Sequence, residues 1–434
     1  MKFETLLELE RHAGRLKEIV TVLANYELAD WLSNVPSEWL QDRFKSADGH
    51  RLVGLSTEAR IRLALTELGT TFIKLGQMLS TRPDIVGPEL ARELSQLQAG
   101  TAADPPAKVR VTFEKDHGKP PEEVFTEFEP VAFASASIAQ VHRARLPDGQ
   151  RVVVKIQHAG IEEKVVQDSD ILMGLADLAE KHSVALRPYQ PRATARQFRR
   201  LLLRELDFVH ERSNLEQFAR AFENDETVHL PAVYPAYSSR RVITMELVEG
   251  IPFTDEGGLH QSGLDLKELA RRGANMYLNM IFRDGFYHAD PHPGNLMMME
   301  DGVVGVLDCG MAGRIDEQLR GEVEGMLLAA VNKDTDELLE IVLRVGSVPL
   351  EIQREALRSG LDDFLGDYVG QRSSGNGNPH RRPIHRFLRT LEQGGPARDR
   401  RCFRFWLPGV FPIRLFGIPT RFRHPQVGQY RRPQ

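Results

Sequence analysis

The stretch YHADPHPGNLMMMEDGVVGVLDCG, residues 287–310, decides how this chain is read. Asp290 and Asn295 stand five apart in one loop, HADPHPGN. The apolar run Leu296–Met299 follows, then a turn at Asp301-Gly302, then the apolar run Val303–Leu307. Two short apolar runs around a Gly-containing turn predict a hairpin. Asp308 stands at its end, 18 residues beyond Asp290 and just before Cys309-Gly310. A carboxylate with an amide oxygen is a hard-oxygen set suited to Mg²⁺. A second carboxylate nearby has the chemistry to accept a hydroxyl proton or to orient a nucleophile. Together they form the layout of phosphoryl transfer, where positioning and charge stabilisation supply most of the catalysis. Taken singly, each is an ordinary turn residue.

Upstream, FTEFEPVAFASASIAQVHRARLPDGQRVVVKIQ (125–157) reads as strand, small-residue turn, strand, turn, strand, with Pro147-Asp148-Gly149 before the last strand. Lys155 lies inside that strand among Val153, Val154 and Ile156. A lysine there needs an anion, because an unpaired buried ammonium is costly. The α- and β-phosphates of ATP, with a carboxylate from a helix, would serve. RELDFVHER offers three acids, Glu205, Asp207 and Glu211. About 16 residues before the lysine strand lies the turn Ala134 to Ala139, where a phosphate-covering loop belongs. Small side chains let backbone N–H groups approach phosphate. Alanine replaces the usual glycines, so positive φ is disfavoured and the loop is stiffer.

Around these motifs the chain reads as helix-rich. Residues 57–80 are expected to be one helix, from the stripe Ile61, Leu65, Leu68, Phe72, Leu75 and Leu79, stopped by Pro83. Lys74 and Gln77 lie one turn apart, off that stripe. Residues 99–108, AGTAADPPAK, read as a linker. Helical patterns are expected at 161–182, 191–222, 265–284, 316–332, 335–346 and 351–369, with a strand at Val242–Leu247. Expected segments are a helical N-terminal extension (1–108), a β-rich lobe with inserted helices (109–250), a helical lobe (251–370), and an Arg/Pro-rich tail (371–434). From Arg401 onward the tail holds no Asp or Glu. It is expected to be disordered or to dock on a partner or acidic surface.

Composition narrows the classes. Hydrophobic residues make up 41% and charged residues 27% of 434, as in ordinary globular proteins. A net charge of −5 gives no global basic character, so no nucleic-acid partner is expected. Two cysteines, Cys309 and Cys402, exclude a disulfide framework and suit a reducing compartment. There is no signal-peptide pattern and no run of 18 apolar residues, so no transmembrane helix is expected. The expected location is the cytoplasm, with peripheral contact at the inner membrane as the variant to test.

The motifs FIKLGQMLSTRPDIVGPEL, ASASIAQVH, VVVKIQ, RELDFVHER, YHADPHPGN and LDCG, in this order over residues 60–315, resemble the UbiB-type atypical kinases, the aarF-domain kinase family. The likeness extends over about residues 1–370. It implies an α+β, protein-kinase-like two-lobe fold with an N-terminal helical extension. It implies binding of ATP or ADP with Mg²⁺ and a role in ubiquinone (coenzyme Q) biosynthesis, as an ATPase or small-molecule kinase rather than a kinase of proteins. Lys155 would hold the phosphates, with Glu205 of the family's E-x-D motif beside the nucleotide. Phe133, Ala134, Ser135, Ala136, Ser137, Ile138, Ala139, Gln140 and Val141 would form the covering loop. Backbone groups from Glu246 to Val248 would meet adenine. Asn295 and Asp308 would bind Mg²⁺, and Asp290 would be the base or water-orienting residue. Lys74 and Gln77, the family's K-x-G-Q motif, would lie on a regulatory helix over the site. Quinone-precursor lipid and quinone-biosynthesis proteins are the implied partners. Cys309 stands where protein kinases usually carry Phe, and the tail replaces the hydrophobic membrane segments of many bacterial members. Two rivals remain. One is an aminoglycoside-phosphotransferase-like kinase, which shares a similar loop. The other is a nucleotide-gated scaffold that binds lipid or partner enzymes without turnover.

Overall fold

The structure is a computed structural model, which describes residues 12–28, 55–97, 101–183, 187, 190–290, 293–345 and 354–370. The tail beyond 370 and most of the first 54 residues lie outside the described residues.

The β-rich lobe is built on one sheet of order β1-β3-β4-β6, with β2 on the free part of β3. The strands are β1 (Glu127–Phe128), β2 (Ala134–Ser135), β3 (Ala139–Arg145), β4 (Arg151–Gln157) and β6 (Val242–Glu246). β3 and β4 form a hairpin whose turn is closed by Gly149 at φ +89, a conformation that favours glycine. Successive side chains of β4 face opposite ways. Val152, Val154 and Ile156 face one side and are fully buried with Val109, Phe113 and Phe125. Burying each such side chain contributes about 1.5–3 kcal/mol. The helix Pro106–His117 covers that side. Val153 faces the other side, packing with Phe208, Leu215 and Phe218. Lys155 is two residues on from Val153, so it projects to this inner side.

Between β4 and β6 run helices α1 (Ile161–His182), α2 (Pro191–Glu205) and α3 (Phe208–Ala221). The single pattern expected over 191–222 is divided at Leu206-Asp207. Asp207 caps α3, its carboxylate accepting from the Val209 N–H at 3.0 Å. The helix expected over 57–80 is likewise two helices, Thr57–Leu68 and Thr70–Ser80. Gly69 between them sits at φ +90, ψ −161, outside helical space and open only to glycine at low cost.

The second lobe carries a small sheet of order β5-β10-β9-β7, where β5 is Val228–His229, β7 Ile251–Pro252, β9 Leu296–Met298 and β10 Val304–Val306. β8 (Phe286–His288) pairs with β11 (Ala312–Arg314). Helices Leu266–Leu278, Glu317–Asn332, Thr335–Val345 and Arg354–Gly370 complete it. The last three share a cluster around Leu338, Leu339, Val342, Leu357, Leu361 and Leu365.

The N-terminal helices pack on α1 of the β-rich lobe. Leu16, Ile19, Leu68 and Phe72 form one cluster with Ile171 and Leu178. A buried ion pair fastens it, Arg15 Nε to Asp168 Oδ1 at 2.7 Å, and Arg15 Nη2 also donates to the Leu68 carbonyl at 2.8 Å. Losing one partner of such a pair would leave a buried charge uncompensated. Gly76 is demanded by close packing, since a Cβ there would lie 2.3 Å from the Leu97 side chain.

Candidate functional site

The centre is an ammonium shared between two carboxylates. Lys155 Nζ lies 2.9 and 3.0 Å from the two Glu211 oxygens and 2.7 Å from Asp308 Oδ2. It also sits 5.3 Å from the Phe208 ring centre, on the same helix as Glu211. Each partner arrives for a local reason. Strand alternation points Lys155 inward. Phe208, Glu211, Leu215 and Phe218 form one buried stripe of α3, so Glu211 is a carboxylate on an apolar face. Asp308 follows the β9–β10 hairpin, whose register sets Leu296 opposite Val306 and lets the Leu307 N–H bond the Asn295 carbonyl at 2.8 Å. That register brings Asn295 beside Asp308.

One cation cannot fully neutralise two carboxylates, the buried Glu211 and the half-buried Asp308. Burial works against the charge on Lys155, but Asp308 and Glu211 more than offset it and raise its pKa. Burial also works to raise Asp308, yet Lys155 and the Gly310 N–H, at 2.8 Å from Oδ1, hold it below the usual carboxylate range. Glu211 is left with the deficit: burial and the neighbouring Asp308 push it up to about 7 against the pull of Lys155.

Asp290 is placed by β8 and β11. The Ala289 N–H donates to the Met311 carbonyl at 3.0 Å, just past the paired strands. The Asp290 N–H donates to His288 Nδ1 at 3.1 Å, which leaves the ring proton on Nε2, donated to the Asp308 carbonyl at 2.5 Å. His288, 2% exposed, thereby joins the two aspartate segments. Asn295 Nδ2 points at the Asp290 carbonyl at 3.4 Å, leaving its side-chain oxygen as an acceptor. Asn214 of α3 donates to the Cys309 carbonyl at 2.8 Å, tying α3 to the segment after Asp308. Burial, then the charges of Asp308 and Glu211, push the Cys309 thiol up, so it stays protonated and unreactive.

Not every expected residue joins this centre. Glu205 is not the carboxylate on Lys155. It closes α2, one helix earlier than Glu211, and pairs with Lys74 of the extension. Burial opposes the Lys74 charge, but Glu205, with Asp290 and Asp308 further off, outweighs it and raises the pKa. Lys74 therefore feels the charge of the acidic centre while its ion pair is with Glu205. Gln77 does not reach it, since its amide donates to the Leu97 carbonyl at 3.2 Å. The Glu246 side chain faces away from the cleft, to His229 at 3.1 Å and the Ala232 N–H at 3.1 Å. Val248 is buried against the second lobe, its Cγ1 beside Gly305.

In the small-residue loop, Ala134 and Ser135 pair with Val141 and Gln140. The Ala136 N–H closes the turn on the Ala139 carbonyl at 2.8 Å. Ser137, Ile138 and Ala139 are buried, while Phe133 is exposed beneath the Arg143 guanidinium. The Gln140 side chain is 1% exposed and turned away, held by the Asp104 N–H at 2.6 Å and by His142 at 2.8 Å. Only its backbone belongs to the loop face.

Sequence reasoning passed over His288 and Asn214 and left Glu211 unchosen among three acids. The signal for Glu211 was present: a carboxylate in phase with Phe208, Leu215 and Phe218 has to find a cation.

Strand lysine, capped-helix carboxylate and strand-end aspartate, meeting between a β-rich and a helical lobe, define a protein-kinase-like architecture. Comparison with known proteins agrees. The family described as "ABC1 atypical kinase-like domain" matches residues 96–342. A "Probable protein kinase UbiB" of Marinobacter nauticus is 35% identical over 345 residues, covering 78% of this chain and 63% of that protein. One of Pseudomonas aeruginosa is 34% identical over 359 residues, covering 81% and 66%. The chain thus spans about two thirds of these relatives' length. Among solved structures, "The complex structure of Rv3197-erythromycin from Mycobacterium tuberculosis" is 27% identical, with a TM-score of 0.49, covering 70% of this chain and 76% of that one. The chain belongs to the ABC1 atypical kinase-like family, of the UbiB type.

Proposed function

We propose that this protein binds ATP or ADP with Mg²⁺ and turns the nucleotide over, as an ATPase or small-molecule phosphotransferase supporting ubiquinone biosynthesis. The observation that carries this reading is Lys155 held between Glu211 and Asp308 at 2.7–3.0 Å. It is a preformed cation beside the end of the segment that carries Asp308. Lys155 meets the α/β-phosphates, the Phe133–Val141 loop covers them, and backbone from Glu246 to Val248 meets adenine. The donor set fits Mg²⁺, which takes one or two protein oxygens together with nucleotide phosphates. Asp308 and the Asn295 amide oxygen are those two ligands. Bound there, the ion neutralises phosphate charge. Asp290 orients the attacking group and takes its proton. Quinone-precursor lipid and quinone-biosynthesis proteins are the partners proposed from the family. Among the described residues no helix is long and apolar enough to cross a membrane. Contact with a lipid substrate is proposed to be peripheral.

One observation favours the scaffold reading. Lys74, paired with Glu205, is close enough to Asp290 and Asp308 for both to raise its pKa, a cation that would compete with an incoming acceptor. Steady-state ATP hydrolysis, with and without a quinone-precursor mimic, separates the two. Turnover is expected for the wild type, and Asp290→Asn should lower it by about 10²-fold or more while binding persists. Hydrolysis no faster in the wild type than in Asp290→Asn would leave only the scaffold.

A further inference from the structure

Three consecutive carbonyls of the alanine-rich turn are each taken by a donor. His158 Nε2 lies 2.9 Å from the Ala136 carbonyl. The Thr70 hydroxyl donates to the Ser137 carbonyl at 2.7 Å. The His158 N–H donates to the Ile138 carbonyl at 2.9 Å. In a trans peptide the C=O of one residue and the N–H of the next point in opposite directions. Holding the Ala136 and Ser137 carbonyls therefore fixes the Ser137 N–H pointing away from His158 and the Ile138 N–H pointing away from Thr70. Among the described residues neither N–H makes a hydrogen bond, although Ser137 is 2% and Ile138 5% exposed. Unpaired N–H groups on buried residues are rare. Successive free N–H groups on a tight turn make a concavity for an anion.

His158 is itself held. Its Nδ1 lies 3.2 Å from Asp104 Oδ2, and the same oxygen accepts from the Ala159 N–H at 2.8 Å. The two ring nitrogens thus bridge Asp104 to the Ala136 carbonyl. Asp104 also anchors the far arm of the turn, through its N–H to the Gln140 amide. Thr70 comes from elsewhere: it opens the helix Thr70–Ser80, one turn before Lys74.

We propose that Asp104, His158 and Thr70 are positioning residues that clamp the alanine-rich turn with its N–H groups set for a nucleotide phosphate. Thr70 also makes that setting depend on the docking of the Lys74 helix. A shift of this helix that draws Lys74 from Glu205 draws Thr70 from Ser137 as well. The proposal rests on the nucleotide reading above and adds what holds and regulates the loop.

The test is calorimetric titration of the full chain with Mg²⁺-ATP and Mg²⁺-ADP. Thr70→Val keeps the shape of the side chain and removes the donor, and Thr70→Ser keeps the donor. The expected result is a roughly tenfold or larger loss of affinity in Thr70→Val, the scale of one lost hydrogen-bonded anchor, with recovery in Thr70→Ser. His158→Ala and Asp104→Asn should fall in the same direction. A merely structural role would lower the melting temperature of the free protein without this donor-dependent recovery. Wild-type affinity in Thr70→Val would overturn the clamp and leave the nucleotide reading standing. If Thr70→Val does not fold, undiminished affinity in Asp104→Asn overturns it instead. Absence of nucleotide binding in the wild type would overturn both.

Discussion

Two lysines approach the same acidic centre, and they are held very differently. Lys155 belongs to the central strand of the sheet and is fixed by two carboxylates, Glu211 at 4% and Asp308 at 35% exposure. Lys74 belongs to a helix of the extension, and its one ion-pair partner among the described residues is Glu205, at 22% exposure. The first contact is built into the two lobes. The second rests on how the extension docks. A fixed cation suits a ligand always bound in one place, and a removable one suits a gate.

Removing the fixed cation should do the most damage. Lys155→Met leaves Glu211 and Asp308 facing each other without a counter-charge. For the buried Glu211 partner this costs up to about 3–5 kcal/mol, while the part from Asp308, 35% exposed, is screened by solvent. A urea midpoint indistinguishable from the wild type would show that the three groups do not share one dry site.

Next in size is a pH effect on the same group. Glu211 is pushed up to about 7 from an ordinary 4.5. A raised carboxylate contributes stability that is fully present below its ordinary value and is lost as pH rises through about 7. Between pH 5 and 8 the wild type should lose stability relative to Glu211→Gln, followed by melting temperature. Parallel curves for the two proteins would place the proton elsewhere.

The Lys74–Glu205 contact should be the weakest. A double-mutant cycle on Lys74→Ala and Glu205→Gln should give a coupling of about 1 kcal/mol or less, since the pair is partly solvated. Coupling as large as that of Lys155 with Glu211 would erase the distinction between the two lysines.

The parts legible in sequence are those set by local rules. The hairpin between Asn295 and Asp308, the strand holding Lys155 and the turn before it follow from alternation and turn chemistry over short spans. Lys155 and Asp308 accordingly meet as their motifs imply. What was hidden depends on contacts far apart in the chain. Helical periodicity over 191–222 runs on through Leu206-Asp207, and only the cap by Asp207 reveals that Glu205 and Glu211 lie on different helices. The break at Gly69 was masked by an apolar stripe that continues across it. Gln77 looked like a companion of Lys74, yet its amide is spent on the Leu97 carbonyl, in the loop after the helix Pro88–Leu94. Backbone groups from Glu246 to Val248 were expected to meet adenine; strand alternation turns only the Glu246 side chain to the other face of the sheet.

The central claim is that Lys155, Glu211 and Asp308 form a nucleotide–metal site. It is tested most directly by the thermal shift of the full chain with ATP, with and without Mg²⁺, in the wild type and in Asp308→Asn. A ligand that binds only the folded state raises the melting temperature by mass action. The account predicts a shift that grows when Mg²⁺ is added in the wild type and a loss of that Mg²⁺-dependent part in Asp308→Asn. The same Mg²⁺-dependent shift in both proteins would contradict it.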